Sequence, residues 1–346
     1  MVDETFPFVS IIMPIRNEAG FIEQAIQSIV DNDYPSDKME IIVVDGRSDD
    51  ATQEIVQRMA AQNNCIRLLD NPRKIQASAM NIGIKACRGD IFIRIDGHAE
   101  VPPDFIRKSV KCLADHPDAW VAGGYWKTVS RGYAGKVIAA ATQSTVGVGG
   151  ARHRLGNFDG WVETLSYGAH YKWIVEKIGY FDEGLVRSED DEFNHRIILA
   201  GGKIWLSSSI WSTYYARSSL KKLCRQYFQD GFWRIKALQK HGSPAAVRRV
   251  VPLLFVSGLI ILALAGFISP IFWWMLVAML GIYALGLAYG TLDVGRNSGW
   301  KYAVLAPLVF VILHFGYGLG GIWGFVRFII LGGKGMVKVE DSKLSR

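Results

Sequence analysis

IFIRIDGH, residues 91–98, sets an apolar run against an abrupt polar stop: Ile91, Phe92, Ile93 and Ile95 have strand character, and Asp96, Gly97 and His98 end it. Asp-Gly is a common turn pair, so the stop taken alone is ordinary. The surrounding chain gives it context. Val9–Ile15, Glu40–Asp45, Cys65–Leu69, Asp90–Ile95 and Ala119–Gly123 are likewise short and largely apolar. Between them, Ala19–Val30, Asp49–Ala61, Lys74–Ala86 and Asp104–Ala114 carry helical periodicity, with Ser48 and Asp49 standing where caps are expected. Continuous apolar strands alternating with helices predict an α/β domain: a Rossmann-like, doubly wound, mostly parallel sheet covered on both faces.

In such sheets ligands bind beyond the carboxyl ends of the strands. The first strand runs into Pro14, Arg16, Asn17 and Glu18, the second ends at Asp45, and the strand of the opening octapeptide ends at Asp96 and His98. Polar groups thus gather on one rim. A nicotinamide dinucleotide requires GxGxxG after the first strand, where this chain reads PIRNEAG with one glycine. No GxxxxGK[ST] phosphate loop occurs either. The expected ligand is a nucleotide held without either glycine cradle.

Composition divides the chain of 346 residues, which is 50% hydrophobic. Val250–Ile268 and Ile271–Leu292 contain no charge, and in Tyr302–Val326 the one titratable side chain besides tyrosine is His314. Each reaches the roughly 18–25 residues of a bilayer span. The expected layout is a catalytic domain over 1–216, an amphipathic helix and linker over 217–249, three spans within 250–333 and a polar tail over 334–346. Residues 217–240 place Leu220, Leu223, Tyr227, Phe228 and Phe232 at helical spacing among lysines and arginines, the pattern of a basic helix on an anionic membrane. The net charge of +7 is read accordingly as membrane affinity, with no nucleic acid as partner. The start, MVDETFPF, lacks the basic and apolar regions of a secretory signal, so a cytoplasmic catalytic domain on a multi-pass cell-membrane protein is expected. Arg248, Arg249, Arg296 and Lys301 suit the inside of a membrane, whereas a third span would put Arg327, Lys334, Lys338 and Arg346 outside. The last segment is therefore expected to bend or lie flat from Gly316, and Gly316, Gly320 and Gly324 suit close packing on another helix. Four scattered cysteines, with no CxxC pair, suggest core packing and neither zinc nor disulfides.

Taken in order, VSIIMPIRNE (9–18), EIIVVDGRSDDAT (40–52), NPRKIQASAMNIGIKACRGDIFIRIDGH (71–98) and SEDDEFNHR (188–196) resemble the inverting family 2 glycosyltransferases of the GT-A fold, in particular the membrane-attached branch with succinoglycan-type glucosyltransferases. The resemblance implies a nucleotide-sugar donor, a UDP-sugar foremost, bound by Pro14, Arg16, Asn17, Glu18, Asp45, Lys74 and Asp96. It puts the family's metal-binding DxD on Asp96, Gly97 and His98, with histidine replacing the second aspartate. A divalent metal, Mn²⁺ or Mg²⁺, is then expected on Asp96 and His98; imidazole suits Mn²⁺ better, and His98 has the alternative of donating to a phosphate oxygen. The same resemblance makes Asp190 the general base and Glu189 an acceptor contact. Crowded like charges raise one another's pKa, which suits a base near neutrality. Where processive relatives carry QxxRW, this chain reads RQYFQDGFWR; Gln226 and Trp233 are expected to meet the acceptor without processive chain building. The glycine-rich, basic stretch GVGGARHRLGNFDGW (147–161) reads as a loop over the rim, and Tyr171–Ile178 as a helix beside the acceptor. Anchoring favours a lipid-linked saccharide as acceptor and cell-surface polysaccharide as product. The rivals are a nucleotidyltransferase of related fold and a non-catalytic nucleotide-sugar-binding membrane protein.

Overall fold

The computed structural model describes residues 6–242 and 247–332, so the expected polar tail, with Lys334, Lys338 and Arg346, lies outside the described residues. Backbone contacts divide the chain into two units, one within Met1–Lys127 and Gly156–Tyr214, the other within Thr128–Leu155 and Tyr215–Arg346. Thr128–Leu155 thus groups with the carboxyl-terminal unit, apart from the rest of 1–216.

The first unit is built on strands β1 (Val9–Ile15), β2 (Met39–Asp45), β3 (Ile66–Asp70), β4 (Ile91–Arg94), β5 (Ala99–Glu100), β6 (Ala119–Val129), β7 (Gly160–Val162), β8 (Ala169–Tyr171) and β9 (Lys203–Tyr215). Their order is β3-β2-β1-β4-β8-β6-β9-β5, with β7 also on β9. The expected parallel sheet is its first half, in which β1 pairs parallel with β2 and β4, and β2 with β3. From β8 onward the sheet is mixed: β8 runs antiparallel to both β4 and β6, and β5 and β7 antiparallel to β9. Ala169–Tyr171 is this return strand, and the helix expected over Tyr171–Ile178 begins at Trp173.

Burial on both faces explains the unbroken apolar strands. Ile11 and Met13 enter one cluster with Ile22, Ile26 and Phe105, while Ile12 enters the other with Ile42, Val44 and Met80. Each such side chain contributes about 1.5–3 kcal/mol by leaving water. The helix Gln76–Ala86 lies so close on β1 that a Cβ on Gly83 would fall 2.4 Å from Ile12 Cγ2. Ser48 and Asp49 do not cap the next helix, which starts at Thr52 after Ala51 with no side-chain cap; the Ser48 hydroxyl is committed to the rim.

The second unit has its own core, in which Val137, Ile138, Leu223, Val309, Phe310 and Leu313 meet. Its closest helix pair is the basic helix Leu220–His241 against Ala306–Phe325. A Cβ on Gly320 would lie 2.0 Å from the Phe228 carbonyl oxygen and one on Gly324 2.6 Å from that of Phe232. The expected glycine seam is therefore present, and the basic helix is its partner. The helix runs on through Gly316 to Phe325, followed by a π turn over Val326–Ile330, so the expected bend at Gly316 is absent. Gly320→Ala is expected to cost about 1–3 kcal/mol, because a backbone carbonyl cannot rotate away as a side chain does. Thermal melting of the detergent-purified protein should show it, against Gly281→Ala, whose Cβ would meet nothing within 4 Å.

Among the described residues two helices are long and apolar enough to cross a membrane, Pro270–Ser298 of 29 residues and Ala306–Ile330 of 25. The first expected span is shorter than the sequence suggested: Val251–Ala265 has 15 residues, roughly 22 Å at 1.5 Å per residue against a hydrocarbon core of about 30 Å.

Candidate active site

Among the described residues four other than glycine adopt the left-handed backbone region, and their positions outline the rim: Asn17 (φ 56°) after β1, Arg47 (54°) after β2, Lys74 (61°) after β3, and Ser188 (60°) before the acidic helix Glu189–Leu199. Such conformations cost on the order of 1–3 kcal/mol each and gather at functional sites. β1 pairs with β4 from Val9 to Ile12, and beyond that point the register continues with β2 alone. Pro14 falls in this opened stretch, where a proline is tolerated.

Hydrogen bonds hold the rim. The Asn17 amide donates to the Ser48 hydroxyl (2.8 Å), which donates to Asp45 Oδ1 (2.5 Å), and the Asn17 side chain accepts from the Asp49 amide (3.0 Å). Asp45 is buried and also accepts from the Ser48 amide (3.0 Å) and from Gln53. The glycine of its Asp-Gly pair makes room: a Cβ on Gly46 would press on Arg16 Cδ at 3.3 Å. Arg16 Nε is buried with no hydrogen-bond partner among the described residues, as a donor awaiting a ligand would be. Lys74 is exposed on the turn that follows the third strand, its amide donating to the Asn71 carbonyl at 3.1 Å.

Beyond β4, the carboxylate of Asp96 accepts from Arg94 Nε (2.8 Å) and Gln76 Nε2 (3.2 Å) at Oδ1, and from Tyr167 Oη (3.0 Å) and Arg94 Nη2 (3.4 Å) at Oδ2. Burial would push Asp96 up, but the Arg94 guanidinium, His98 and the donated hydrogen bonds outweigh it and hold it below the ordinary carboxylate value. Arg94 Nη1 reaches across to Glu189 Oε1 at 3.0 Å. At the start of the acidic helix, Asp190 accepts from Ser166 Oγ (3.0 Å) and from the Asp191 amide (2.8 Å). Burial first, and then the neighbouring Asp191, raises Asp190; burial raises Glu189 to about 7 despite Arg94. The other acids of SEDDEF are structural, Asp191 accepting from Thr164 at 2.9 Å and Glu192 pairing with Arg196 at 2.9 Å.

Which groups would suit a metal follows from these contacts. A carboxylate has about four lone-pair positions, and donors meet Asp96 from four directions. His98 Nδ1 lies 2.9 Å from Glu18 Oε1, the carboxylate–imidazole arrangement that orients a metal-binding histidine through its other nitrogen. Among the described residues no three His, Cys, Asp or Glu side chains form a cage. Of the two expected ligands, Asp96 thus has its oxygens engaged by Arg94, Gln76 and Tyr167, and His98 is held on Glu18 through Nδ1.

Gln226 and Trp233 lie in the second unit. Gln226 accepts from Arg217 Nε at 3.3 Å. Trp233 is fully buried, packed on Phe232 and Phe328, so it offers no surface to an acceptor. Trp233 does lie within the helix Leu220–His241, but its ring is turned to Phe328 of the π turn Val326–Ile330. Residues that sequence reasoning missed include Arg94, Gln76, Ser166 and Tyr167. Arg94 alone left a signal, a charge inside an otherwise apolar strand, which burial allows only with partners.

Comparison with known proteins gives a consistent result. Residues 10–149 match the sequence family described as Glycosyl transferase family 2. The chain is 31% identical over 318 residues to the succinoglycan biosynthesis protein ExoA of Rhizobium meliloti, covering 90% of this chain and 92% of that one. It is 31% identical over 231 residues, 65% of this chain and 72% of the other, to a dolichyl N-acetyl-α-D-glucosaminyl phosphate 3-β-D-2,3-diacetamido-2,3-dideoxy-β-D-glucuronosyltransferase of Methanococcus voltae. Among solved structures, the mannosyltransferase PcManGT of Pyrobaculum calidifontis, in complex with GDP-Man and Mn²⁺, superposes with a TM-score of 0.59 at 22% identity, covering 88% of this chain and 87% of that one.

Proposed function

The chain belongs to glycosyltransferase family 2, and from that premise we propose that it moves a sugar from a nucleotide-sugar donor, a UDP-sugar foremost, to a lipid-linked saccharide during polysaccharide synthesis. The observation that carries the reading is the convergence of Asp96 and the Glu189–Asp190 pair on Arg94, which sets a donor-side carboxylate beside a base of raised pKa. Arg16, Asn17, Glu18, Asp45 and Lys74 receive the nucleotide. The acceptor hydroxyl gives its proton to Asp190 as its oxygen bonds to the anomeric carbon; the bond from that carbon to the diphosphate breaks, and the nucleoside diphosphate leaves. A single displacement of this kind inverts the anomeric configuration. A divalent cation, as in the Mn²⁺ complex of the Pyrobaculum fold neighbour, would be held by His98 and would supply positive charge to the diphosphate oxygens.

A role in polysaccharide synthesis is supported by the relative named for succinoglycan biosynthesis, and a lipid-linked acceptor by the one whose name includes a dolichyl-linked sugar phosphate. Membrane anchoring through Pro270–Ser298 and Ala306–Ile330 agrees with it. The most apolar window of the first is wholly unburied, and Trp274 and Leu285 are 74% and 73% exposed, surface that water would not tolerate at this extent. Basic residues beside these helices favour a cytosolic catalytic unit.

The test is nucleoside diphosphate release by the full-length protein in detergent, from a panel of nucleotide-sugars, with and without membrane lipid extract. One donor should support release that the extract stimulates. Diphosphate release from a nucleoside triphosphate, or no turnover of any donor, would overturn the reading. In the same assay His98→Asp should shift metal preference from Mn²⁺ toward Mg²⁺; an unchanged preference removes His98 from the cation.

A further inference from the structure

We propose that Arg94 is a positioning residue that clamps the donor-side carboxylate Asp96 and the acceptor-side pair Glu189–Asp190 at one separation, and that sugar transfer depends on this clamp. The inference rests on the assignment of Asp190 as the base. Arg94 is 7% exposed, and its planar fork is divided: Nε and Nη2 face Asp96, while Nη1 meets Glu189, a residue 95 positions later in the chain and 3% exposed. A guanidinium can meet two carboxylates from two edges at once, which a lysine ammonium cannot do in the same geometry. Three acidic side chains therefore share one internal cation. Without it, Asp96 and Glu189 would be left with buried charge and reason to part.

The neighbouring hydrogen bonds show what the clamp controls. Ser166 donates to Asp190 and Tyr167 donates to Asp96, so two adjacent residues form a second, uncharged tie between the same two sides. Arg94 supplies the charged tie, and through Glu189 it fixes the first turn of the acidic helix, from which Asp190 projects. A lysine at this position keeps a contact with the nearby Asp96 and gives up Glu189. The donor side should survive that change and the base side should not.

The experiment uses the full-length protein and the donor identified by nucleoside diphosphate release, with wild type and Asp190→Asn alongside. Failure of the glycosyltransfer reading appears in the wild type, whereas failure of the clamp appears only in the Arg94 variants. Arg94→Lys is expected to lower kcat about 100-fold, the loss typical of a misplacement near 1 Å, with donor KM and calorimetric UDP affinity within about threefold of wild type. Adding Glu189→Gln to Arg94→Met should cause no further loss, because the restrained carboxylate is already gone. The proposal is overturned if Arg94→Lys keeps kcat within about threefold, if UDP affinity falls in step with kcat, or if the losses of the double variant multiply. Should Arg94→Met fail to fold, the division between kcat and UDP affinity in Arg94→Lys decides the matter, since that variant keeps the buried charge.

Discussion

Asp190→Asn is expected to lower kcat for sugar transfer by about 10³-fold, within the range of roughly 10²–10⁴ that a positioned acid or base contributes, while UDP affinity stays at the wild-type value. The substitution is nearly isosteric, and Ser166 Oγ, one of the two groups bonded to the carboxylate, can rotate its hydrogen to suit an amide. Loss of activity would therefore report loss of the base. The pH profile adds an independent check. Because burial and Asp191 raise Asp190, wild-type kcat should fall as pH drops through a value above the ordinary carboxylate range of about 4. That limb should be missing from whatever activity Asp190→Asn retains. Full activity in the variant would refute the assignment and turn attention to Glu189, which burial raises to about 7.

Glu40→Ala is expected to destabilise the first unit by about 3 kcal/mol, lowering the midpoint of thermal unfolding by roughly 10 °C for a unit of this size. Glu40 is fully buried in β2 and accepts from Ser10 Oγ (2.7 Å), the Arg88 amide (2.7 Å), Arg67 Nη1 (2.9 Å) and Arg88 Nε (3.1 Å). The two arginine side chains are 39% and 61% exposed and can return to water, so their ion pairs contribute little. The cost comes from the Ser10 hydroxyl and the Arg88 amide, which would lose their acceptor inside the protein, and from the cavity left behind. Burial works to raise Glu40, but the hydrogen bonds from Arg88, Ser10 and Arg67 prevail and its folded pKa is lowered. Its contribution is complete above the unfolded carboxylate pKa and is lost as pH falls through the folded value. The stability gap between wild type and variant should thus narrow on acidification to the part due to the cavity, and a gap that persists unchanged at low pH would exclude any contribution from the ionised carboxylate.

By itself the sequence determined the parallel half of the sheet and its rim, because β1, β2 and β4 are buried on both faces and such strands read as unbroken apolar runs. It also pointed to Asn17, Asp45, Asp96 and Asp190, since strand ends and helix starts are local features, and to the glycine seam at Gly316, Gly320 and Gly324, since four-residue spacing is local too. Tertiary structure alone decided where β8 lies, because three residues are too few to show a period, and it decided that Trp233 packs inward against Phe328. It likewise decided the partnerships of the candidate site. Asp96 with Tyr167, Asp190 with Ser166 and Arg94 with Glu189 join residues 71, 24 and 95 positions apart. Periodicity describes which way a side chain faces within its own element; which charge waits there depends on how distant segments are brought together, and that is a property of the packed chain.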